Sequence, residues 1–293
     1  MAIENVINIT KDISDGTVTN TKYIDFLNNP ESYSQEEFSK LFSDFKSELN
    51  KGKIRVAEKI KNKWKVNYWV KQFILHGFRY GTTKEYGSNC EDRYFDKSTL
   101  GKRELTYEDG VRVVSQSATI RDGVYIAPGV ICMPPCFINI GAYVSEDTLI
   151  DSNTLVGSCA QIGKRVHLSA GSQIGGVLEP VGEFPVIIED NVFIGGNCGI
   201  YDGTIIKKGA VIGAGTIITG SIGVFDIVHN RVYSRTDSKP LTIPEGAVVV
   251  PGARMIEKQI FDNVKLSLQT PIIIKYVKSG NANLQLEDAL REI

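Results

Sequence analysis

Residues 150–174 read IDSNTLVGSCAQIGKRVHLSAGSQI, with an apolar side chain at Ile150, Val156, Ile162, Leu168 and Ile174. The spacing is six throughout. It fits neither the 3.6-residue turn of a helix nor the alternation of a strand. Backwards, the series extends through Val144, Ile138, Cys132, Ile126 and Ile120; forwards, it resumes as Ile188, Ile194, Ile200, Ile206, Ile212, Ile218 and Val224. A sustained period of six is the signature of a parallel β-helix, three hexapeptides to a coil, each coil stacked on the last. Gly follows the apolar residue at 157, 163, 175, 195 and 213, and small residues recur four places after it, as at Ala142, Thr154, Ala160, Cys198, Ala210 and Thr216. The glycines are expected at corners, where backbone freedom without a Cβ is needed. The predicted class is therefore mainly β, a left-handed parallel β-helix over 111–224.

The flanks read differently. Residues 1–110 form an N-terminal helical domain and connector. Ser34-x-x-Glu37 is a capping box ahead of Phe38, Leu41, Phe42, Phe45 and Leu49, and Gly52 marks the stop. A second amphipathic segment, Trp64 to Phe78, carries Trp69, Val70, Phe73 and Ile74, and residues 81–110 are rich in turn formers. Between Ile174 and Ile188 the count breaks at EPVGEFP (179–185), whose prolines predict a loop projecting from the coil. Residues 225–293 form a small β/α extension, with alternating stretches at 228–233 and 247–250 and a helix over 284–290.

Composition narrows the function classes. The 293 residues are 42% hydrophobic and 23% charged with formal net charge −1, so no basic surplus points to nucleic acid. No apolar run approaches the ~20 residues of a membrane span, and the first residues lack a secretory pattern, so a cytoplasmic protein is expected. The cysteines (90, 132, 136, 159 and 198) are odd in number and read as free thiols. Three histidines, only His167 inside the repeat, do not supply a His-rich zinc site, and no metal is expected. His167 reads as a corner residue that could touch substrate. The run Gly157 to Arg165 lacks the spacing and the Ser or Thr of a phosphate loop.

The runs INIGAYV (138–144), VGSCAQIGK (156–164), VHLSAG (166–171), IGGVLEP (174–180) and VIIEDNVFIG (186–195) closely resemble the tetrahydrodipicolinate N-succinyltransferase family of bacterial lysine and diaminopimelate synthesis. GKIRVAE (52–58), WKVNYWVK (64–71), VRVV (111–114) and VVVPG (248–252) agree with it. The resemblance implies a homotrimer with active sites in clefts between neighbouring prisms. Succinyl-CoA would act as co-substrate, with no tightly bound cofactor, and the amine of ring-opened tetrahydrodipicolinate would attack the thioester. Asp151 matches the family's catalytic and substrate-binding Asp. Arg112 matches a substrate-binding Arg, whose planar fork suits a carboxylate. Gly195, Gly196, Gly213, Ala214 and Gly215 fall where the family contacts coenzyme A.

A carboxylate is about four pKa units too acidic to strip an ammonium outright, but it can take the proton once attack has made the nitrogen acidic. The chain departs from the family in three ways. Gly199 stands where many members carry a catalytic Glu, with Asp202 at another acidic position. SEDTLIDSN (145–153) lacks the usual Trp, and Ser115-Gln-Ser and Pro134-Pro-Cys are each one residue longer. The alternatives are an acetyl-CoA-dependent transferase of the same fold, acting on tetrahydrodipicolinate or a related amino acid, and a non-catalytic trimeric binding protein.

Overall fold

The structure is a computed structural model and describes residues 21–88, 90, 93–256 and 265–277. Strands of two or three residues recur through the repeat and pair in parallel with the strand one coil away. They build three sheets, here called faces. On the first face Ile126, Val144, Ile162, Ile188 and Ile206 lie in register. The second stacks Val113, Cys132, Ile150, Leu168, Ile194 and Ile212, and the third Ile120, Ile138, Val156, Ile174, Ile200 and Ile218. Every residue in these series after Val113 is buried and points into one continuous core, as the period predicts. Burial of each such side chain contributes about 1.5–3 kcal/mol, so the prism is stabilised along its whole length.

The corners hold a correction. The left-handed backbone lies three residues after the inward position, at Gly123, Gly129, Gly141, Asp147, Asn153, Cys159, Arg165, Gly171, Asn191, Asn197, Gly209 and Gly215. The glycines one place after the inward residue serve a different need, close approach between coils. A Cβ on Gly157 would sit 2.1 Å from the Gly176 nitrogen, and one on Gly163 would sit 2.6 Å from the Asp190 nitrogen.

The stack also runs on past Val224. Above Ile206 the first face takes Ile243, and above Ile212 the second face takes Val249. Val224 is buried but leaves the ladder: its strand, Val224–Asp226, pairs antiparallel with Arg231–Tyr233. The hexad count there is satisfied by burial in a hairpin rather than by another coil. Strand Ala247–Met255 then returns antiparallel along Ser267–Tyr276. The helix expected over 284–290 lies outside the described residues.

At the other end α1 (Thr21–Asn28), α2 (Gln35–Asn50) and α3 (Tyr68–Tyr80) enclose an aromatic cluster of Tyr23, Phe26, Phe38, Phe42, Phe45 and Phe73. The Ser34 hydroxyl accepts the Glu37 N–H (3.2 Å) and the Glu37 carboxylate accepts the Ser34 N–H (2.8 Å), which is the reciprocal box expected. Ile140 and Cys159 join this cluster, so the helices dock on the turns from the third face to the first. Residues 57–66 are not helical. They form a hairpin, β1 (Ala57–Ile60) and β2 (Lys63–Val66), because Lys61 and Asn62 both take positive φ, the two-residue turn that matches strand twist. Trp64 therefore lies on a strand. The connector carries a second hairpin, β3 (Thr83–Tyr86) with β4 (Tyr94–Lys97).

Residues 179–185 carry no strand or helix, so the break in the count is a loop. It is held from behind by Lys71, whose buried ammonium donates to the carbonyls of Val181 (3.2 Å) and Glu183 (2.7 Å).

Candidate active site

Where the second face turns into the third, four successive coils present a row of shrinking side chains. The Asp151 N–H donates to Leu168 O (3.0 Å), Ser169 to Ile194 O (3.0 Å), Gly195 to Ile212 O (2.7 Å) and Gly213 to Val249 O (2.7 Å). Asp151, Ser169, Gly195 and Gly213 thus share one corner column, about 14 Å from end to end at the spacing of paired strands. Beside it run Ser152, Ala170, Gly196 and Ala214, linked through Gly171 N–H to Ser152 O (2.8 Å), Asn197 N–H to Ala170 O (3.0 Å) and Gly215 N–H to Gly196 O (2.9 Å). The result is a strip of nearly bare backbone leading away from one carboxylate.

Two kinds of glycine line this strip. At Gly195 a side chain would strike the next coil, 2.5 Å from Ala214 N, so bareness there is a packing requirement. Gly196 has only Ala170 O within reach (3.3 Å), and Gly215 faces open space at φ +75°.

Asp151 is half-buried and its Oδ1 accepts the Ser152 N–H at 2.7 Å. The turn bond expected of a corner Asp is present, and no cation pairs with the carboxylate among the described residues. Arg112 lies on the same face but two rungs away: it pairs with Ile131, which pairs with Leu149. That places it roughly 10 Å from the Asp151 coil, exposed. The two charges border a common surface without touching. The extra residue after Val113 is absorbed in the turn, where the Ser117 N–H donates to Ser115 Oγ (3.3 Å), and Ile120 keeps register with Ile138.

His167 is not a corner residue. It opens the strand His167–Leu168 on the second face, opposite Leu149 and Phe193, edge-on to the Phe193 ring with centroids 5.0 Å apart. Burial lowers its pKa, and the neighbouring Asp151 charge opposes that shift. Spacing on the face could have revealed this neighbour, since Asp151 and His167 belong to adjacent coils. At Gly199 a Cβ would meet the Tyr201 ring at 2.4 Å, so Tyr201 fills the space a side chain there would occupy. Asp202 ties its turn to the next coil, accepting the Gly220 N–H (3.1 Å).

Four cysteines (132, 136, 159 and 198) are buried thiols and Cys90 is exposed. Among the described residues no cluster of His, Cys, Asp and Glu is arranged to hold a metal ion, and no helix is long and apolar enough to cross a membrane.

Residues 25–80 match the family model for the tetrahydrodipicolinate N-succinyltransferase N-terminal region, and residues 185–220 that for the hexapeptide repeat of succinyl-transferase. The chain is similar to the 2,3,4,5-tetrahydropyridine-2,6-dicarboxylate N-succinyltransferase of Acinetobacter baylyi, at 42% identity over 84% of this chain and 86% of that protein. The protein of the same name from Polynucleobacter asymbioticus is 41% identical over 84% and 85% of the two chains. That of Bradyrhizobium diazoefficiens is 37% identical over 99% of each. Identity sustained across both the helical region and the coil leads to one conclusion: the chain belongs to the tetrahydrodipicolinate N-succinyltransferase family.

Proposed function

We propose that the protein transfers a succinyl group from succinyl-CoA to the amino group of ring-opened tetrahydrodipicolinate, in lysine and diaminopimelate synthesis. The observation that carries this reading is the corner column, in which one carboxylate stands at the end of a strip of glycine and alanine backbone. A thioester arm laid along Gly195, Gly196, Gly213, Ala214 and Gly215 would bring its carbonyl toward Asp151. Arg112, on the same face, would hold a substrate carboxylate.

In this reading the amine nitrogen bonds to the thioester carbonyl carbon, and the nitrogen becomes acidic as that bond forms. Asp151 accepts its proton. The tetrahedral centre then collapses, the carbon–sulfur bond breaks, and coenzyme A leaves as the thiol once it has taken up a proton. Asp151, which pairs with no cation among the described residues, would act after attack rather than before it. Acyl-CoA is consumed as co-substrate; no resident cofactor is invoked.

The family suggests three further assignments. The coil is left-handed, the protein is a cytoplasmic homotrimer, and the corner strip faces a neighbouring prism. Arg112 is exposed and Asp151 only half-buried, which supports completion of the site by a second copy.

The test is thiol release from succinyl-CoA and from acetyl-CoA, each with tetrahydrodipicolinate, for wild type and Asp151→Asn. Turnover with succinyl-CoA that is lost in a still-folded Asp151→Asn supports the reading. Turnover with acetyl-CoA alone replaces the donor. Coenzyme A binding without turnover points to a binding protein.

A further inference from the structure

Hairpin β1–β2 leans over the turns from the first face to the second and leaves a cavity of about 250 Å³. This is a different edge of the prism from the one that carries Asp151. Arg55 lines it, its guanidinium over the Tyr143 ring at 3.5 Å from the centroid, and Tyr143 stacks in turn on Tyr125. Arg55 Nε and Nη2 both donate to Gln161 Oε1 (3.2 and 3.1 Å). Gln161 is itself buried and locked, its amide nitrogen donating to Cys159 O (3.0 Å) and Ala160 O (3.3 Å).

The charge ledger around the cavity is uneven. Lys59 and Lys207 both pair with Glu189 (2.9 and 3.3 Å), and Lys164 pairs with Glu146 (3.2 Å). Arg55 and Lys208 have no carboxylate partner among the described residues. Burial pulls the Arg55 guanidinium below its ordinary value, opposed only in part by Tyr143 and Glu58, and the one side chain it hydrogen-bonds among the described residues is the neutral Gln161. A guanidinium carries five N–H donors, and Gln161 engages two of its nitrogens through a single oxygen. A stacked, desolvated arginine with donors left over is the usual anchor of a planar oxyanion.

We propose that this cavity binds a small carboxylate anion, held by the fork of Arg55 and the ammonium of Lys208. A singly charged ligand is favoured, because Glu146, Glu189 and Asp190 line the same cavity and would repel a multiply charged one. The site is independent of the acyl-transfer reading and needs neither Asp151 nor acyl-CoA.

Trp64 supplies the readout. It lines the cavity, its indole N–H donates to Glu189 Oε1 (2.9 Å), and the chain has only one other tryptophan, Trp69, among the helices. In a Trp69→Phe background, butyrate added against a matched chloride control should change Trp64 fluorescence saturably, in the millimolar range expected of one charge-assisted contact. Arg55→Gln should weaken the midpoint about tenfold or more, and Lys208→Gln by a smaller factor. Asp151→Asn should leave it unchanged. If Arg55→Gln does not fold, Arg55→Lys, which keeps the charge and loses the fork, should weaken binding instead.

The proposal is overturned if butyrate gives no saturable change beyond the chloride control. It is also overturned if the midpoint is indifferent to both Arg55 and Lys208, or if Asp151→Asn removes binding. Tighter binding of inorganic phosphate than of butyrate would overturn the carboxylate assignment.

Discussion

A Cβ added to Gly195 would stand 2.5 Å from the amide nitrogen of Ala214, one coil away, whereas one added to its neighbour Gly196 would meet only Ala170 O at 3.3 Å. Two adjacent glycines therefore answer to different demands. Gly195→Ala should destabilise the prism by about 1–3 kcal/mol, because the obstruction is backbone and cannot turn aside. Gly196→Ala should melt within a few degrees of wild type. Under the proposed function it should raise the KM for succinyl-CoA while leaving kcat close to wild type. An unchanged KM would move coenzyme A off this strip.

Arg112 is exposed and pairs with no carboxylate among the described residues, so its removal should cost little stability. Arg112→Ala is expected to raise the KM for the dicarboxylate by about tenfold to a hundredfold, the worth of a charge-assisted bond, with the KM for succinyl-CoA unchanged. Equal loss for both substrates would indicate a structural role. Asp151→Asn should lower kcat by about 10²–10⁴, the usual scale for a proton acceptor.

Val156 is fully buried on the third face, between Ile138 and Ile174. Val156→Asp would place a carboxylate in an apolar core with no partner, and the coil should fail to fold. Circular dichroism and melting report this directly. A melt like that of wild type would mean the residue does not point inward.

His76 and His167 both have pKa values lowered from the ordinary value of 6.5, His76 by burial and then by Arg79, His167 by burial against the pull of Asp151. The folded chain therefore binds fewer protons than the unfolded one below about pH 6.5. Stability is fully present above that value and declines as pH falls through the folded pKa values. Urea midpoints measured from about pH 7.5 to about 5.5 should fall, in a window above the titration of most carboxylates. His76 packs edge-on to Phe26, and its buried Nδ1 has no hydrogen-bond partner among the described residues. His76→Phe should flatten that pH dependence.

Burial raises the Cys159 thiol to about 12 and the Cys198 thiol to about 11, with Cys132 and Cys136 also inside the prism. An aromatic disulfide reagent should label Cys90 quickly in the native protein and the other four only on unfolding. Rapid native labelling of more than one thiol would contradict the packing of the coil.

The inward register was legible residue by residue from Ile120 to Ile218, because each coil repeats the same local pattern and burial acts at every sixth position. The same logic misled at Val224, where burial in a hairpin imitates another hexad. It also missed the coil made by Thr242–Ile243 and Val248–Val249, since the intervening chain follows no period. The face of α2 was legible from the capping box and apolar spacing. Hairpin β1–β2 was not, because its turn residues, Lys61 and Asn62, carry no glycine to announce the positive φ.

By itself, then, the sequence determined which residues enter the core, that the chain coils in hexads, and which residue types could carry acyl transfer. Those properties follow from local periodicity and side-chain chemistry. The tertiary structure alone decided that Asp151, Ser169, Gly195 and Gly213 share one column. The eight extra residues between Ile174 and Ile188 shift the count, and only the pairing of coils sets which residue stacks above which. It alone also brought Arg55 and Trp64 over a cavity lined by Gln161 and Glu189. Residues a hundred positions apart meet there because hairpin β1–β2 docks on the prism, and no local pattern encodes that contact.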